Sequence, residues 1–389
     1  MSSEKSLTAR YAAVQAVFWM SICVSGAFAA VYLQGLGYNN MRLGAILACG
    51  NLLGAVLGPA LSARIDGGAR IPAARLIPPA LTAQTAALLI LIVHPVKGAA
   101  TTVCFTLYIA FCLAMNTLIL KLYVDFVHGG RRLDFGAARA TGSLAYVLIS
   151  VLLGALIERT SVRALPLAGL TLCAMQAAFC ALLCRGAPAR HDDADAARGG
   201  SSMVGFLRRQ PRFGVLLLGM VLLFFAHNTL NNFFINVAEN VGGGTGTMGR
   251  LNAFMAAVEI PVMLLYRRLR GRRSGTTLLR VSFAFFTVKI VAVTLAPNVP
   301  ALFAALLFQA PSFALYAAAI VDYVDEVVPF EDSAKAQSLA YSMTTLGTVL
   351  SSLICGRLLD VTTVTRTMLV ACAVCGAGTL VAWAGLEKT

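Results

Sequence analysis

The sequence predicts an all-α membrane protein with twelve transmembrane helices in two pseudo-symmetric six-helix bundles. Three observations predict it. The chain is too apolar to keep its surface in water, with 58% hydrophobic and 12% charged residues over 389 positions. It contains twelve nearly uncharged runs of about bilayer length, and six of them lie on each side of a single polar gap.

A crossing needs roughly 20 apolar residues to traverse about 30 Å of hydrocarbon. Such runs, bounded by Arg, Gly, Pro or Asn, fall at 11–33, 43–63, 76–94, 101–125, 140–158, 165–184, 213–237, 251–266, 281–297, 301–323, 336–354 and 367–385. Backbone polar groups in hydrocarbon have to pair within their own segment. Runs this long and this rich in Leu, Ala and Phe do so as helices rather than barrel strands. Span 1 ends in Ser25-Gly26-Ala27-Phe28-Ala29-Ala30, which looks like a signal-peptidase site, but with eleven spans following it reads as a retained helix.

The net charge of +14 would suit a nucleic-acid partner only if it gathered on one face, and it is distributed by topology instead. With a cytoplasmic N-terminus, 22 Lys and Arg face the cytoplasm and 7 the exterior, while Lys121 and Lys289 lie within spans. Leaving out the central loop, the bias is still 16 to 7. The expected location is a plasma membrane, the inner one in a bacterium, with both termini cytoplasmic and no nucleic acid bound. All ten Cys lie in or at the ends of spans, including Cys372 and Cys375 in span 12, where thiols behave as small apolar groups. No disulfide, metal or cofactor is expected.

The polar gap carries Arg185, Arg190, His191, Asp192, Asp193, Asp195, Arg198 and a Gly-Gly-Ser-Ser stretch, the composition of a linker. The division is therefore an N-terminal bundle at 1–186, a cytoplasmic linker at 187–212 and a C-terminal bundle at 213–389. Two echoes support duplication. Ala138-Arg139-Ala140 with Ser143-Leu144-Ala145-Tyr146 opens span 5, and Ala334-Lys335-Ala336 with Ser338-Leu339-Ala340-Tyr341 opens span 11. Ala55-Val56-Leu57-Gly58-Pro59 in span 2 mirrors Ala257-Val258-Glu259-Ile260-Pro261 in span 8. Both echoes fall six helices apart, as repeated halves require, and such halves hold a solute site between them near the midplane.

A charge inside the bilayer costs at least about 2.5 to 3.5 kcal/mol, so one that is retained faces a cavity or a partner. Glu259 stands alone in the middle of span 8. At that depth it either loads and releases a proton between two access states or forms an inert pair with Lys289 or Lys121. Those two lysines can also snorkel, since four methylenes carry an ammonium several ångströms. Asp125 and Asp322 lie toward the cytoplasmic ends of spans 4 and 10, where gate or surface roles come first. In span 7, His227, Asn228, Asn231, Asn232 and Asn236 recur at four-residue spacings along one stripe, either a wet cavity wall or a set of interhelical hydrogen bonds. Arg139, Ser143 and Tyr146 share a face of span 5 and offer a guanidinium fork, a hydroxyl and an aromatic plate to a ring bearing hydroxyls. The alternative is a topogenic Arg beside ordinary helix packing.

Phe135-Gly136-Ala137-Ala138-Arg139 followed by Gly142 and Tyr146, Glu259 in span 8, and Asn232-Phe233-Phe234 in span 7 together resemble the major facilitator superfamily. The likeness is to the proton-symporter branch that includes lactose permease, nucleoside symporters and phenylpropionate-type permeases. It implies the major facilitator fold, a sugar-binding Arg139 with an aromatic residue stacked beside the sugar, and an intramembrane cation at Lys289. The chain also departs from that branch. Phe308-Gln309-Ala310-Pro311 aligns with the helix-10 stretch that bears the proton-carrying glutamate of lactose permease, and Gln309 cannot titrate. Lys121 and His227 fall near acids of that permease, so lactose itself is not expected. The loop 2–3 signature is degenerate across Gly58 to Arg70, with Asp66-Gly67-Gly68 retained.

The expected function is movement of a small polar solute by alternating access, coupled to protons in symport, by a monomer in a lipid bilayer. The solute-binding set is Arg139, Ser143, Tyr146, His227, Asn231, Asn232 and Gln309. Glu259, Lys289, Lys121, Asp125 and Asp322 form the proton-coupling or charge network. An exporter, antiporter or uniporter is one alternative, and a non-transporting receptor or assembly factor on the same fold is another. An enzyme is not expected, since no paired acids, metal spacing or nucleophile–base arrangement falls within the spans.

Overall fold

The computed structural model describes residues 2–66, 72–185 and 203–387. Every regular element among them is helical. Among the described residues, twelve helices are long and apolar enough to cross a membrane: α1 (Ser6–Ala27), α2 (Asn40–Ile65), α3 (Ala73–Val93), α4 (Ala99–His128), α5 (Phe135–Arg159), α6 (Ala164–Cys184), α7 (Pro211–Asn232), α8 (Thr245–Arg270), α9 (Gly275–Leu295), α10 (Val299–Val327), α11 (Phe330–Val361) and α12 (Val364–Gly385). Their outward faces carry large apolar side chains in the open, such as Val93 at 81% and Leu264 at 76% exposure, which suits contact with acyl chains rather than water.

The chain forms two compact units, Met1–Ala196 and Ala197–Thr389, with six crossing helices in each. In the first unit α1 packs on α5 and α6, α2 on α4, and α3 on α4 and α6. In the second, α7 packs on α11 and α12, α8 on α10, and α9 on α10 and α12. Each pairing in the first unit recurs six helices later, the spacing of the two sequence echoes.

Three local features differ from the sequence reading. The expected linker at 187–212 lies outside the described residues as far as 202, but Met203–Arg209 is a helical turn pair, with Phe206 fully buried against Phe213 at 5.5 Å. An aromatic inside a polar stretch anchors a short helix there. The expected span at 213–237 is two helices, because the chain breaks at Phe233 (φ −120°, ψ 31°) and resumes as Phe234–Asn240. Asn236 therefore leaves the stripe of α7. Span 10 contains a tightened turn at Leu307–Gln309 followed by a widened one at Ala310–Ala314, where Pro311 has no N–H to continue the ladder. Of the degenerate loop 2–3 signature, residues 67–70 lie outside the described residues.

Small residues set the closest helix approaches. A Cβ built on Gly54 of α2 would stand 2.8 Å from the Leu113 side chain of α4, and one on Gly50 would stand 2.8 Å from Ile109. Gly54→Leu should force these helices apart and cost about 1–3 kcal/mol as an overpacked core does. Thermal unfolding of the purified protein in detergent would show it as a lowered midpoint with an unchanged helical signal.

Candidate functional site

The second unit holds a continuous polar chain drawn from four helices. Gln309 of α10 donates from Nε2 to Glu259 Oε1 of α8 at 2.7 Å. Lys289 Nζ of α9 donates to Gln309 Oε1 at 2.8 Å and lies 2.8 Å from His227 Nδ1 of α7. His227 Nε2 in turn lies 3.0 Å from the Asn231 amide one turn along α7. Lys289 and Gln309 are buried at 0% and 1% exposure and His227 at 4%, while Glu259 is half-buried. The chain thus begins at a half-buried carboxyl, runs through three buried side chains and ends at the half-buried Asn231.

Backbone geometry explains how these side chains meet. The widened turn around Pro311 leaves helix carbonyls without their usual donors. The Ser312 hydroxyl donates to Phe308 O at 2.6 Å, and the Ser282 hydroxyl of α9 donates to Ser312 O at 2.8 Å. That stitch fixes α9 to α10 at the level of Gln309. Aromatic rings close the site. Phe313 lies flat on the His227 imidazole with centroids 4.9 Å apart and planes 11° apart, and the Phe286 ring centroid is 4.9 Å from Lys289 Nζ. An ammonium has three protons to place, and Gln309, His227 and the Phe286 face account for them.

Two proton arrangements satisfy this geometry. When Lys289 is an ammonium it donates into Nδ1, so the imidazole hydrogen sits on Nε2 and the Asn231 amide turns to present its oxygen, an atom otherwise buried without a partner. When Lys289 is an amine, Nδ1–H donates to it and Nε2 accepts from Asn231 Nδ2. The two differ by one proton: in passing from the first to the second, Lys289 gives a proton to Nδ1, Nε2 gives one up, and the Asn231 amide rotates.

The helix-7 stripe divides between two neighbours. His227 and Asn231 face α9. Asn232 donates to Ser351 and Ser352 of α11 at 3.3 and 2.9 Å, and Asn228 to Thr344 O at 3.3 Å. For Asn228 and Asn232, interhelical hydrogen bonding accounts for the side chains. With 72% of its apolar window buried, α7 is the most enclosed of the twelve spans, so its amides meet helices rather than lipid.

In the first unit, Asp134 caps α5 by accepting from Ala137 N at 2.9 Å, which places Arg139 in the first turns. Arg139 Nη1 donates to Ser143 Oγ at 3.0 Å, as the four-residue spacing predicts. The ring against the guanidinium is that of Trp19 in α1, 3.9 Å from it. Gly142 makes this possible, since a Cβ there would collide with the indole. Trp19 Nε1 donates to Gln15 at 3.3 Å, and Gln15 donates to the Tyr11 hydroxyl at 2.9 Å, so the plate is held from behind. Tyr146 is half-buried one turn further along, where its carbonyl accepts from Ser150 at 2.8 Å. Sequence reasoning missed Trp19, Phe313 and Phe286; the available signal for Trp19 was that the chain has only two tryptophans.

The remaining candidates lie elsewhere. Lys121 and Asp125, four residues apart on α4, are both half-buried in the first unit. Asp322 Oδ2 lies 2.7 Å from Arg270 Nε and accepts from the Tyr266 hydroxyl at 2.6 Å. Glu326 accepts from Arg270 at 3.1 Å and from the first amide of α9, at Gly275, at 2.8 Å. These two acids brace the ends of α8, α9 and α10, a role distinct from the polar chain around Lys289.

A model of the MFS_1 like family matches residues 28–370. A protein of Deinococcus radiodurans named for sugar efflux is 28% identical over 130 residues, which is 33% of this chain and 33% of that relative. A variant of the nucleoside transporter NupG superposes with a TM-score of 0.83 at 12% identity, over 99% of this chain and 100% of the other. An auto-inhibited POT family peptide transporter gives 0.76 at 12% identity, covering 98% and 96%. A bacterial homolog of the human lysosomal transporter Spinster gives 0.69 at 13%, covering 98% and 95%. At these identities the solved structures share the fold.

Proposed function

The chain belongs to the MFS_1 like family, and from that premise we propose that it moves a small polar solute, a sugar, nucleoside or similar molecule, across a plasma membrane by alternating access in symport with protons. The observation that carries the proposal is the buried chain Glu259–Gln309–Lys289–His227. A lysine kept at 0% exposure inside the spans marks a functional group by default, and its place between a carboxyl and an imidazole supports a proton-handling role.

Glu259 is the proton-responsive group in this account, because it alone of the four has partial access. Gln309 cannot titrate, and its amide transmits polarity: a charged Glu259 holds its Nε2 side and leaves Oε1 for the ammonium. Protonation of Glu259 frees that amide to rotate, so the state of the carboxyl reaches Lys289, His227 and Asn231. In the first unit, Arg139 braced by Trp19 offers the rest of its fork to solute hydroxyls, with Ser143 and Tyr146 along the same face. Asp125 is assigned to gating, and Lys121 to the intramembrane charge network. The charge bias favours cytoplasmic termini.

The test is pH recording with proteoliposomes of the purified protein as sugars, nucleosides and aromatic acids are added in turn. Symport predicts that one of the first two classes alkalinises the outer medium. The named function of the Deinococcus radiodurans relative favours a second reading, efflux of a sugar. Efflux by antiport would give solute exit accompanied by proton entry, and uptake indifferent to the pH gradient would point to uniport.

A further inference from the structure

The first unit contains a cavity of about 380 Å³ that none of the proposed chemistry uses. It opens where the α1–α2 and α3–α4 connections meet, and its lining includes Arg42, Lys97, Tyr38, Thr102, Ile46 and Cys49. The Tyr38 hydroxyl builds it: it donates to Gly98 O at 2.8 Å, accepts from Gly98 N at 3.0 Å and lies 3.1 Å from Thr102 Oγ1, joining segments sixty residues apart. Lys97 is held over the Tyr38 ring, 5.9 Å from its centroid, by a 2.9 Å hydrogen bond to Gly37 O. The Arg42 guanidinium makes no hydrogen bond or ion pair among the described residues.

Two cations therefore share one cavity that no carboxylate among the described residues lines, and the sequence has no acid from residue 67 to 124. Like charges held together without a counter-charge repel, and an anion relieves the repulsion. The guanidinium fork suits a phosphate bidentately, and Lys97 adds a point charge with two donors to spare. Ala45, Ile46 and Ala99 provide an apolar wall, and the volume falls within the usual range of about 300–1,000 Å³ for small-ligand sites. We propose that this cavity binds a phosphate-bearing organic anion through Arg42 and Lys97. A phospholipid headgroup and a free phosphate ester share that chemistry.

Cys49 reports on occupancy, since it lines the cavity and is exposed, whereas the other nine cysteines are buried or half-buried. The full chain in dodecyl maltoside would be alkylated with a neutral maleimide and the modification at Cys49 followed by peptide mass spectrometry. The probes are glycerol 3-phosphate, dihexanoyl phosphatidylglycerol and, as uncharged controls, glycerol and a dihexanoyl glycerol. The expected result is slower Cys49 alkylation with a phosphate probe and no effect from its uncharged control. Protection by both phosphates identifies a free ester site, and protection by the lipid alone identifies a headgroup site. Arg42→Gln with Lys97→Gln should raise the half-protecting concentration at least about tenfold, as expected from losing a charge-assisted contact. No protection by either phosphate, equal protection by the uncharged controls, or unchanged protection in the double variant would overturn the proposal. Should the double variant fail to fold, the comparison of charged with uncharged probes on the unaltered protein still decides.

Discussion

Lys289→Met is expected to lower solute uptake by at least about a hundredfold, while a second substitution restores the stability that the first one costs. Its ammonium makes two charge-assisted hydrogen bonds worth about 1.5–3 kcal/mol each, and a barrier raised by both together, about 3–6 kcal/mol, spans two or more decades in rate. The single substitution leaves the half-buried Glu259 without its bridged cation. Removing one partner of a buried ion pair costs roughly 3–5 kcal/mol, and partial access at Glu259 should bring the loss down to the order of 2 kcal/mol. Glu259→Gln in the Lys289→Met background removes the orphaned charge. Thermal unfolding in detergent should then return to near the original midpoint, with uptake still absent. Recovery of uptake along with stability would make the chain of contacts structural only.

Arg139→Lys is the second large effect. Lysine keeps the charge but cannot both lie flat on Trp19 and hold Ser143 with a planar fork. The expected outcome is a KM raised about 10- to 100-fold, the loss of one or two charge-assisted hydrogen bonds, with solute-independent proton leak unchanged. Trp19→Phe should fall between the two proteins, because a smaller ring preserves part of the plate. Radiolabelled uptake across a concentration series separates KM from maximal rate. A reduced maximal rate at unaltered KM would move Arg139 from solute binding to the conformational step.

The architecture was legible because span length and apolar composition are local properties. Twelve runs fall where twelve helices stand, and the two echoes, each six helices apart, have the spacing at which the helix pairings recur. Glu259, Lys289, Gln309 and His227 stood out one at a time, as charges and amides in apolar runs do. Their connection did not, since it depends on four helices converging across separations of 50, 20 and 62 residues. Periodicity extended the α7 stripe through Asn236 because it could not see the break at Phe233. It also could not tell which neighbour each amide meets, so Asn232 was grouped with His227 although it bonds to α11. Trp19 was hidden for a similar reason: its partner Arg139 is 120 positions away, and only the bare backbone of Gly142 lets the two helices bring them together.

In the proposed cycle, protonation at Glu259 drives uptake through the amide of Gln309. Glu259→Gln places at that position the neutral form that protonation would create. Two rates measured on the same proteoliposomes decide the matter: exchange of labelled for unlabelled solute at equal concentrations, and accumulation driven by an imposed pH gradient. The expected result is exchange at close to the original rate with gradient-driven accumulation abolished. Accumulation at the unsubstituted level would contradict the claim outright.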